Sequence, residues 1–333
     1  MKRPALFVFI ALLFMASSAS FALAQKEKLE VVYSSIGGTS IPLWIAQDRG
    51  FFERNGLETR LIYIGGGRIV AQAFAAGQIK IAVMAGPGMV SANLGGLSLR
   101  MIAGLINTST YSLFVKPNIT SPQELKGKKF GMGSFGSSPD FMMRQIFRRL
   151  GLDPEKDITI LQLGGGGDLV RLAALKAGSI DGALLSPPLT AIAREAGFRA
   201  MVTPQSLVIP YQQTGVATSK DFIDKNRETV RKVVKSMVDT VHFYKTHKEE
   251  SLAIIARNLK TNDRTALEES YQEFALKLTP RKPYPTVEGM ALIVDSQRTK
   301  NTPATVRAED FVDMSFVKEL DDSGYIDRLY GGR

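Results

Sequence analysis

Three serines surround a glycine in Gly133-Ser134-Phe135-Gly136-Ser137-Ser138, and Pro139 follows them. Small residues and hydroxyls ahead of a proline-started helix have the chemistry of anion capture. The first N–H groups of a helix lack an intrahelical acceptor, and the helix dipole adds partial positive charge at the same point. A carboxylate, a sulfonate or a similar group is what such a loop would hold. A second loop of the same make, Ser34-Ser35-Ile36-Gly37-Gly38-Thr39-Ser40, stands before Pro42. Two such loops facing each other would surround a ligand with N–H and hydroxyl donors. Gly131-x-Gly133-x-x-Gly136 also fits the dinucleotide fingerprint. A lone copy is weak, and a tight strand-to-helix turn with no ligand meets the same spacing.

The elements that position these loops follow from local pattern. Lys129 to Met132 reads as a strand. Ser138 is read as the N-cap, Pro139 as the first helical residue and Asp140 as a complement to the dipole. Met142, Met143, Ile146, Phe147 and Leu150 form an apolar stripe that ends at Gly151. Earlier, strands at Leu29–Tyr33, Leu57–Ile64, Ile79–Met84 and Leu99–Leu105 alternate with helices that begin after Gly-rich loops and stop at Gly50, Gly77 and Gly95-Gly96. That alternation predicts a mainly parallel sheet with helices on its faces. The pattern then repeats. A shift of 101 residues carries Ala76, Gly77, Ile79, Ala82 and Pro87 onto Ala177, Gly178, Ile180, Ala183 and Pro188. Two similar α/β lobes are the natural reading; generic turn chemistry is the alternative. β-like runs at Tyr111–Val115 and Thr214–Thr218 would cross between the lobes. The second lobe is therefore an insertion at 113–216, and the first is discontinuous, 25–112 with 217–333. Two crossings make a hinge, with the ligand in the cleft. From Ser219 the chain turns helical, over Asn226–Lys245, Leu252–Leu259, Arg264–Leu278 and Val287–Gln297. These helices are read as padding for the first lobe.

Composition excludes several classes. There is no cysteine, so no disulfide, thiolate metal site or cysteine nucleophile exists. Lys2 and Arg3 precede an apolar run from Ala5 to Met15, too short for a bilayer, and Ala22-Leu23-Ala24 makes a small-x-small cleavage site. Residues 1–24 are expected to be a signal peptide removed after Ala24; a retained anchor is the alternative. Without them the formal charge falls from +10 to +8, spread along the chain rather than clustered. The two histidines, His242 and His247, are five apart, where a helical metal pair needs a spacing of about four. Gly164 to Leu172 lacks the Gly-Lys-Ser/Thr of a P-loop.

Pro42-Leu43-Trp44-Ile45-Ala46-Gln47-Asp48-Arg49-Gly50-Phe51-Phe52-Glu53-Arg54-Asn55-Gly56-Leu57 resembles a hallmark stretch of the periplasmic substrate-binding proteins of ABC importers, of the nitrate, sulfonate and taurine (SsuA-like) type. Gly77-Gln78-Ile79-Lys80-Ile81-Ala82, Leu125-Lys126-Gly127-Lys128-Lys129-Phe130-Gly131 and Ala177-Gly178-Ser179-Ile180-Asp181-Gly182-Ala183 are similar to the same family. The resemblance implies a type II periplasmic-binding-protein fold, each lobe a mainly parallel sheet flanked by helices, with a helical C-terminal region. It implies periplasmic capture of a small, anionic solute, no catalysis, no cofactor or metal, and delivery to an ABC permease in the inner membrane. A monomer with no nucleic-acid partner is expected. By family position the ligand contacts are Ser35, Gly38, Thr39, Ser40, Gly66, Gly86, Ser134, Phe135, Gly136, Ser137, Ser138, Gly166 and Ser186, with Tyr211 and Gln212 at the return crossing. For any one of them a glycine's conformational freedom or a serine's capping role is an equal explanation. Arg68 and Arg171 begin helices beside Gly-rich loops; they are expected in solvent, with contact to an anionic ligand as the alternative, and Asp168 is expected as a cap. Enzymes of similar fold exist. The fungal thiamine-pyrimidine synthase relies on a histidine and a cysteine-rich motif, and the porphobilinogen-polymerising enzymes on a cysteine, which this chain lacks. An exported sensor handing its ligand to a membrane receptor is a second reading, and a pyrimidine-precursor enzyme a third.

Overall fold

A computed structural model of the chain describes residues 26–164 and 167–332. The expected signal segment and Gly166 lie outside the described residues. The chain runs β1 (Glu27–Tyr33), α1 (Ile41–Asp48), α2 (Phe51–Arg54), β2 (Leu57–Tyr63), α3 (Gly67–Ala75), β3 (Ile81–Met84), α4 (Gly86–Leu94) and β4 (Leu99–Thr108). It continues through β5 (Ser112–Val115), β6 (Lys129–Met132), α5 (Ser138–Arg149), β7 (Thr159–Gln162), α6 (Gly167–Lys176), β8 (Gly182–Leu185), α7 (Leu189–Glu195), β9 (Arg199–Val202) and β10 (Pro210–Ser219). Helices α8 (Lys220–Lys225), α9 (Arg227–Thr246), α10 (Lys248–Leu259), α11 (Arg264–Tyr271), α12 (Val287–Gln297), α13 (Ser315–Asp322) and α14 (Tyr325–Leu329) complete it.

The strands form two sheets, β2-β1-β3-β10-β4 and β7-β6-β8-β5-β9. Position by position the two orders are the same. In the first, β1 is parallel to β2 and β3, while β10 is antiparallel to β3 and β4. In the second, β6 is parallel to β7 and β8, while β5 is antiparallel to β8 and β9. Each sheet is therefore mixed, with one reversed strand in the fourth place. That strand is where the chain enters the second sheet (β5) or returns to the first (β10). The 101-residue repeat holds in the strands themselves, since Ile81–Met84 in β3 matches Gly182–Leu185 in β8. Both strands are buried throughout, as central strands covered on two faces must be.

The periodic helices bury the faces their patterns select. Met142, Met143, Ile146 and Phe147 of α5 join Phe130 and Met132 of β6 in one core. Val230, Val233, Val234, Met237 and Val241 of α9 cover the first sheet at Leu29, Val31, Ile81 and Val83. Each such side chain contributes roughly 1.5–3 kcal/mol by leaving water. The helical tail thus covers a sheet face, as expected, but it also does something unforeseen. Helix α11 widens into a π-helical turn, Gln272–Leu278, that carries Phe274 under the first serine loop. β9, a four-residue edge strand buried only at Val202, has no clear signature in the sequence.

Candidate functional site

The first loop is internally bonded. Ser35 Oγ lies 2.9 Å from Thr39 Oγ1 and 3.5 Å from Ser40 Oγ, and the buried Ser40 hydroxyl donates to the Ser35 carbonyl at 2.6 Å. Gly38 sits directly against Phe274, with a Cβ placed there only 1.9 Å from the ring. Gly66, at φ 93°, donates its N–H to the Ser34 carbonyl at 3.1 Å, tying the loop before α3 to the first one. Gly86 starts α4 so close to β10 that an added Cβ would meet the Gln212 carbonyl oxygen at 2.9 Å.

In the second loop the helix begins one residue earlier than its sequence implies. Ser137, not Ser138, occupies the N-cap position, and its hydroxyl makes no cap bond. Ser138 Oγ instead accepts from the Tyr211 hydroxyl at 2.6 Å, with the Tyr111 hydroxyl at 3.4 Å. The capping role passes to Asp140, which accepts from the Gly136 N–H at 2.8 Å and from Arg144 Nε at 2.8 Å. A side chain in the first turn can fold back to satisfy an orphan N–H, as in a capping box. Phe135 is exposed, and its N–H points to Gln162 Oε1 at 3.4 Å. Ser134 accepts the Ser137 N–H on its carbonyl.

The third group corrects the reading of Asp168 and Arg171. Arg171 is not in solvent: it is 2% exposed, donates from Nε to the Leu184 carbonyl at 2.8 Å and pairs with Asp168. Helix α6 packs against β8, which brings Arg171 to the Leu184 carbonyl. Asp168 also accepts both the N–H and the hydroxyl of Ser186, at 2.8 and 2.6 Å, so it bridges two loops and does not simply cap its own helix. Arg68 is exposed, as expected.

The crossing strands supply the rest. Between Pro210, opposite Thr108, and Thr214, opposite Ile106, β10 advances by two residues more than β4. Tyr211, Gln212 and Gln213 fill this bulge, the kind of irregularity that re-aims side chains beside functional sites. Tyr211 is fully buried and stacks on Phe141 at 5.2 Å. The Gln212 amide is committed within the protein. Its nitrogen donates to the Ile106 carbonyl, Asn107 Oδ1 and the Thr214 carbonyl at 3.0–3.2 Å, and its oxygen accepts the Thr286 N–H at 2.8 Å. Burial pushes the Tyr111 phenol up, helped by the Asp168 charge and opposed by Arg171, Ser138 and Gln213. Burial raises Tyr211 well above the usual tyrosine value, with Tyr111 adding to it.

Residues 38–251 match the family model described as NMT1/THI5 like. The chain belongs to the NMT1/THI5-like family. A Haemophilus influenzae protein named for thiamine biosynthesis is 29% identical over 152 residues, 45% of this chain, and the chain spans only 47% of that relative. A Brucella abortus protein, whose name is that of a binding protein with no ligand stated, is 26% identical over 267 residues, 78% of this chain and 80% of the relative. The periplasmic nitrate-binding protein NrtA from Synechocystis superposes with a TM-score of 0.72 at 14% identity, covering 89% of this chain and 88% of that one. The periplasmic aliphatic sulphonate-binding protein SsuA from Escherichia coli gives 0.62 at 18% identity, covering 91% and 93%. The fold is that of the periplasmic binding proteins, and its two mixed sheets fit two lobes.

In this NMT1/THI5-like chain, helix starts from both sheets meet on the return strand: Gly86 of α4 against Gln212, and Ser138 of α5 on Tyr211. Asp168 and Ser186 stand near enough for the Asp168 charge to act on Tyr111. The first loop is anchored from the other side, on Phe274. A hollow of about 790 Å³ lies beside this junction, lined by Asn93, Asp140, Arg144, Gln145 and Thr302 among others; of the expected contacts among the described residues only Gly136 reaches it. Sequence reasoning missed Thr110, Tyr111 and Gln213. Tyr111 begins one of the β-like runs that it read, and Thr110 and Gln213 each stand one residue before such a run, but nothing local distinguishes a junction hydroxyl or amide from a surface one. No cluster of three or more metal-ligating side chains occurs among the described residues.

Proposed function

We propose that this chain is an exported solute-binding protein. It captures a small, anionic solute between its two halves and delivers it, chemically unchanged, to an ABC-type permease in the inner membrane. The halves are the segments 25–112 with 217–333 and 113–216, and the mature protein works as a periplasmic monomer after cleavage at Ala24. The observation that supports this most is the meeting of α4 and α5 starts on Tyr211–Gln212, which puts positive dipole ends from both halves at the crossing strands. Two crossings between similar sheets are the geometry of hinge closure around a ligand. The names of NrtA and SsuA, which bind nitrate and aliphatic sulphonates, support an oxyanion-bearing solute.

A thermal-shift screen of sulfonates, nitrate, carboxylates and pyrimidine precursors on the mature chain tests the reading. A ligand at a hundred times its Kd stabilises the native state by about 2.7 kcal/mol, a readily measured rise in Tm. The expected outcome is a hit recovered unaltered by mass spectrometry. No hit in any class, or a hit converted to product, refutes the proposal.

A further inference from the structure

Most polar groups at the crossing strands already have partners inside the protein. Asp168 is taken up by Arg171 and Ser186, Arg171 by Asp168 and Leu184, and Gln212 by four neighbours. Both tyrosine hydroxyls turn to Ser138 Oγ. Three side-chain atoms on or next to the residues of this junction are buried with no partner among the described residues: Thr110 Oγ1, Ser137 Oγ and Gln213 Oε1. Thr110 is 2% and Gln213 3% exposed. Thr110 adjoins Tyr111, Ser137 adjoins Ser138, and Gln213 sits in the β10 bulge beside Tyr111. A buried, unpaired polar atom costs roughly 1–3 kcal/mol, so each of the three calls for a partner that the described residues do not supply.

The chemistry of these three atoms constrains that partner. A hydroxyl donates or accepts, so Thr110 and Ser137 suit an anionic oxygen. An amide oxygen only accepts. A bare oxyanion beside Gln213 Oε1 would leave it unpaired and add repulsion between two negative oxygens. The buried guanidinium of Arg171 is already neutralised by Asp168 and does not compensate.

We infer that the solute carries an N–H or O–H donor as well as its acidic group, and that Gln213 is the residue that selects for that donor. The inference rests on the binding function proposed above and narrows its ligand class. Amino- or amide-bearing organic acids fit the junction, and simple inorganic oxyanions do not.

Matched probe pairs separate the two claims. Taurine against ethanesulfonate, β-alanine against propionate and further pairs of that design, with nitrate and sulfate, are titrated into the mature wild-type chain and into Gln213→Leu and Gln213→Glu. The donor-bearing member of a pair is expected to bind about tenfold to a hundredfold more tightly to wild type, the loss set by an unpaired buried acceptor. Gln213→Leu should erase that preference, whereas Gln213→Glu, which keeps an acceptor there, should retain it. Urea melts of both variants establish that they fold. If donor-free members or inorganic anions bind as well as their donor-bearing partners, or if the preference survives in Gln213→Leu, the inference is wrong while the binding function stands. If no probe of either kind binds any form, both fall together.

Discussion

A methyl group at Gly38 would lie 1.9 Å from the Phe274 ring, so the smallest residue is required there by packing against a side chain 236 positions away in the chain. Phe274 is fully buried and sits on the π-helical turn that continues α11. Gly38→Ala is therefore expected to cost about 1–3 kcal/mol by overpacking, and Phe274→Ala about 3–5 kcal/mol by leaving a cavity. The two together should cost less than the sum, because the new methyl partly fills the space the ring vacates. Urea denaturation of the double-mutant cycle checks this, and strict additivity would show that the two residues do not share a contact. The same scale explains why the serines are poor guides taken singly. Ser40, Ser138 and Ser186 have hydroxyls already bonded, to a carbonyl, a tyrosine and a carboxylate in turn, whereas Ser137 has none.

At the scale of elements, the pairing of α6 with β8 is held by a charge the sequence placed in solvent. Arg171 is enclosed between the Leu184 carbonyl and Asp168, and Asp168 in turn fixes the loop at Ser186. Removing one partner of a buried pair leaves an uncompensated charge. Asp168→Ala should cost about 3–5 kcal/mol, measured as a shift in urea midpoint. Adding Arg171→Met should recover much of that loss, since an apolar replacement of the whole pair is often close to neutral. If the double variant is no more stable than Asp168→Ala, the guanidinium is not the source of the penalty. The bulge in β10 belongs to this scale too. Two extra residues break the ladder for one stretch and give Tyr211, Gln212 and Gln213 three different surroundings, which a regular strand would not allow.

At the scale of the whole molecule, the proposed division into two halves has contacts that cross it away from the strands linking the sheets. Arg194 of α7 pairs with Glu269 of α11 at 2.7 Å, the Thr190 hydroxyl donates to the same carboxylate at 3.2 Å, and Gln205 reaches Glu273 at 3.4 Å. The Arg194 side chain is 54% exposed and that of Glu269 30%, so this clasp is worth at most about 1 kcal/mol. A bias of that size still matters in an equilibrium between open and closed halves, because ligand affinity scales with the fraction of the closed state. Glu269→Ala is expected to weaken solute binding by roughly twofold to fivefold, with Tm changed by only a degree or two. Small-angle scattering without ligand should show a larger radius of gyration than wild type. Unchanged affinity and unchanged scattering would mean that the clasp does not bias closure.

The sequence by itself determined the alternation of strands and helices, the 101-residue repeat, the covering helices and the serine loops before proline-started helices. Each of these is written in local terms: apolar period, cap, glycine stop. The β-like runs at Tyr111–Val115 and Thr214–Thr218 also stand out between helical stretches, and both fall on strands. The sequence lost β9, a four-residue edge strand with one buried side chain, because so short a run has no period to read. Only the tertiary structure decided which polar groups were already taken. Ser138 meets Tyr211 across 73 residues, and Gln212 meets Asn107 across 105. Such pairs depend on which strands lie side by side in the sheets, and strand order follows from the packing of the whole chain. No residue's neighbours in sequence carry that information.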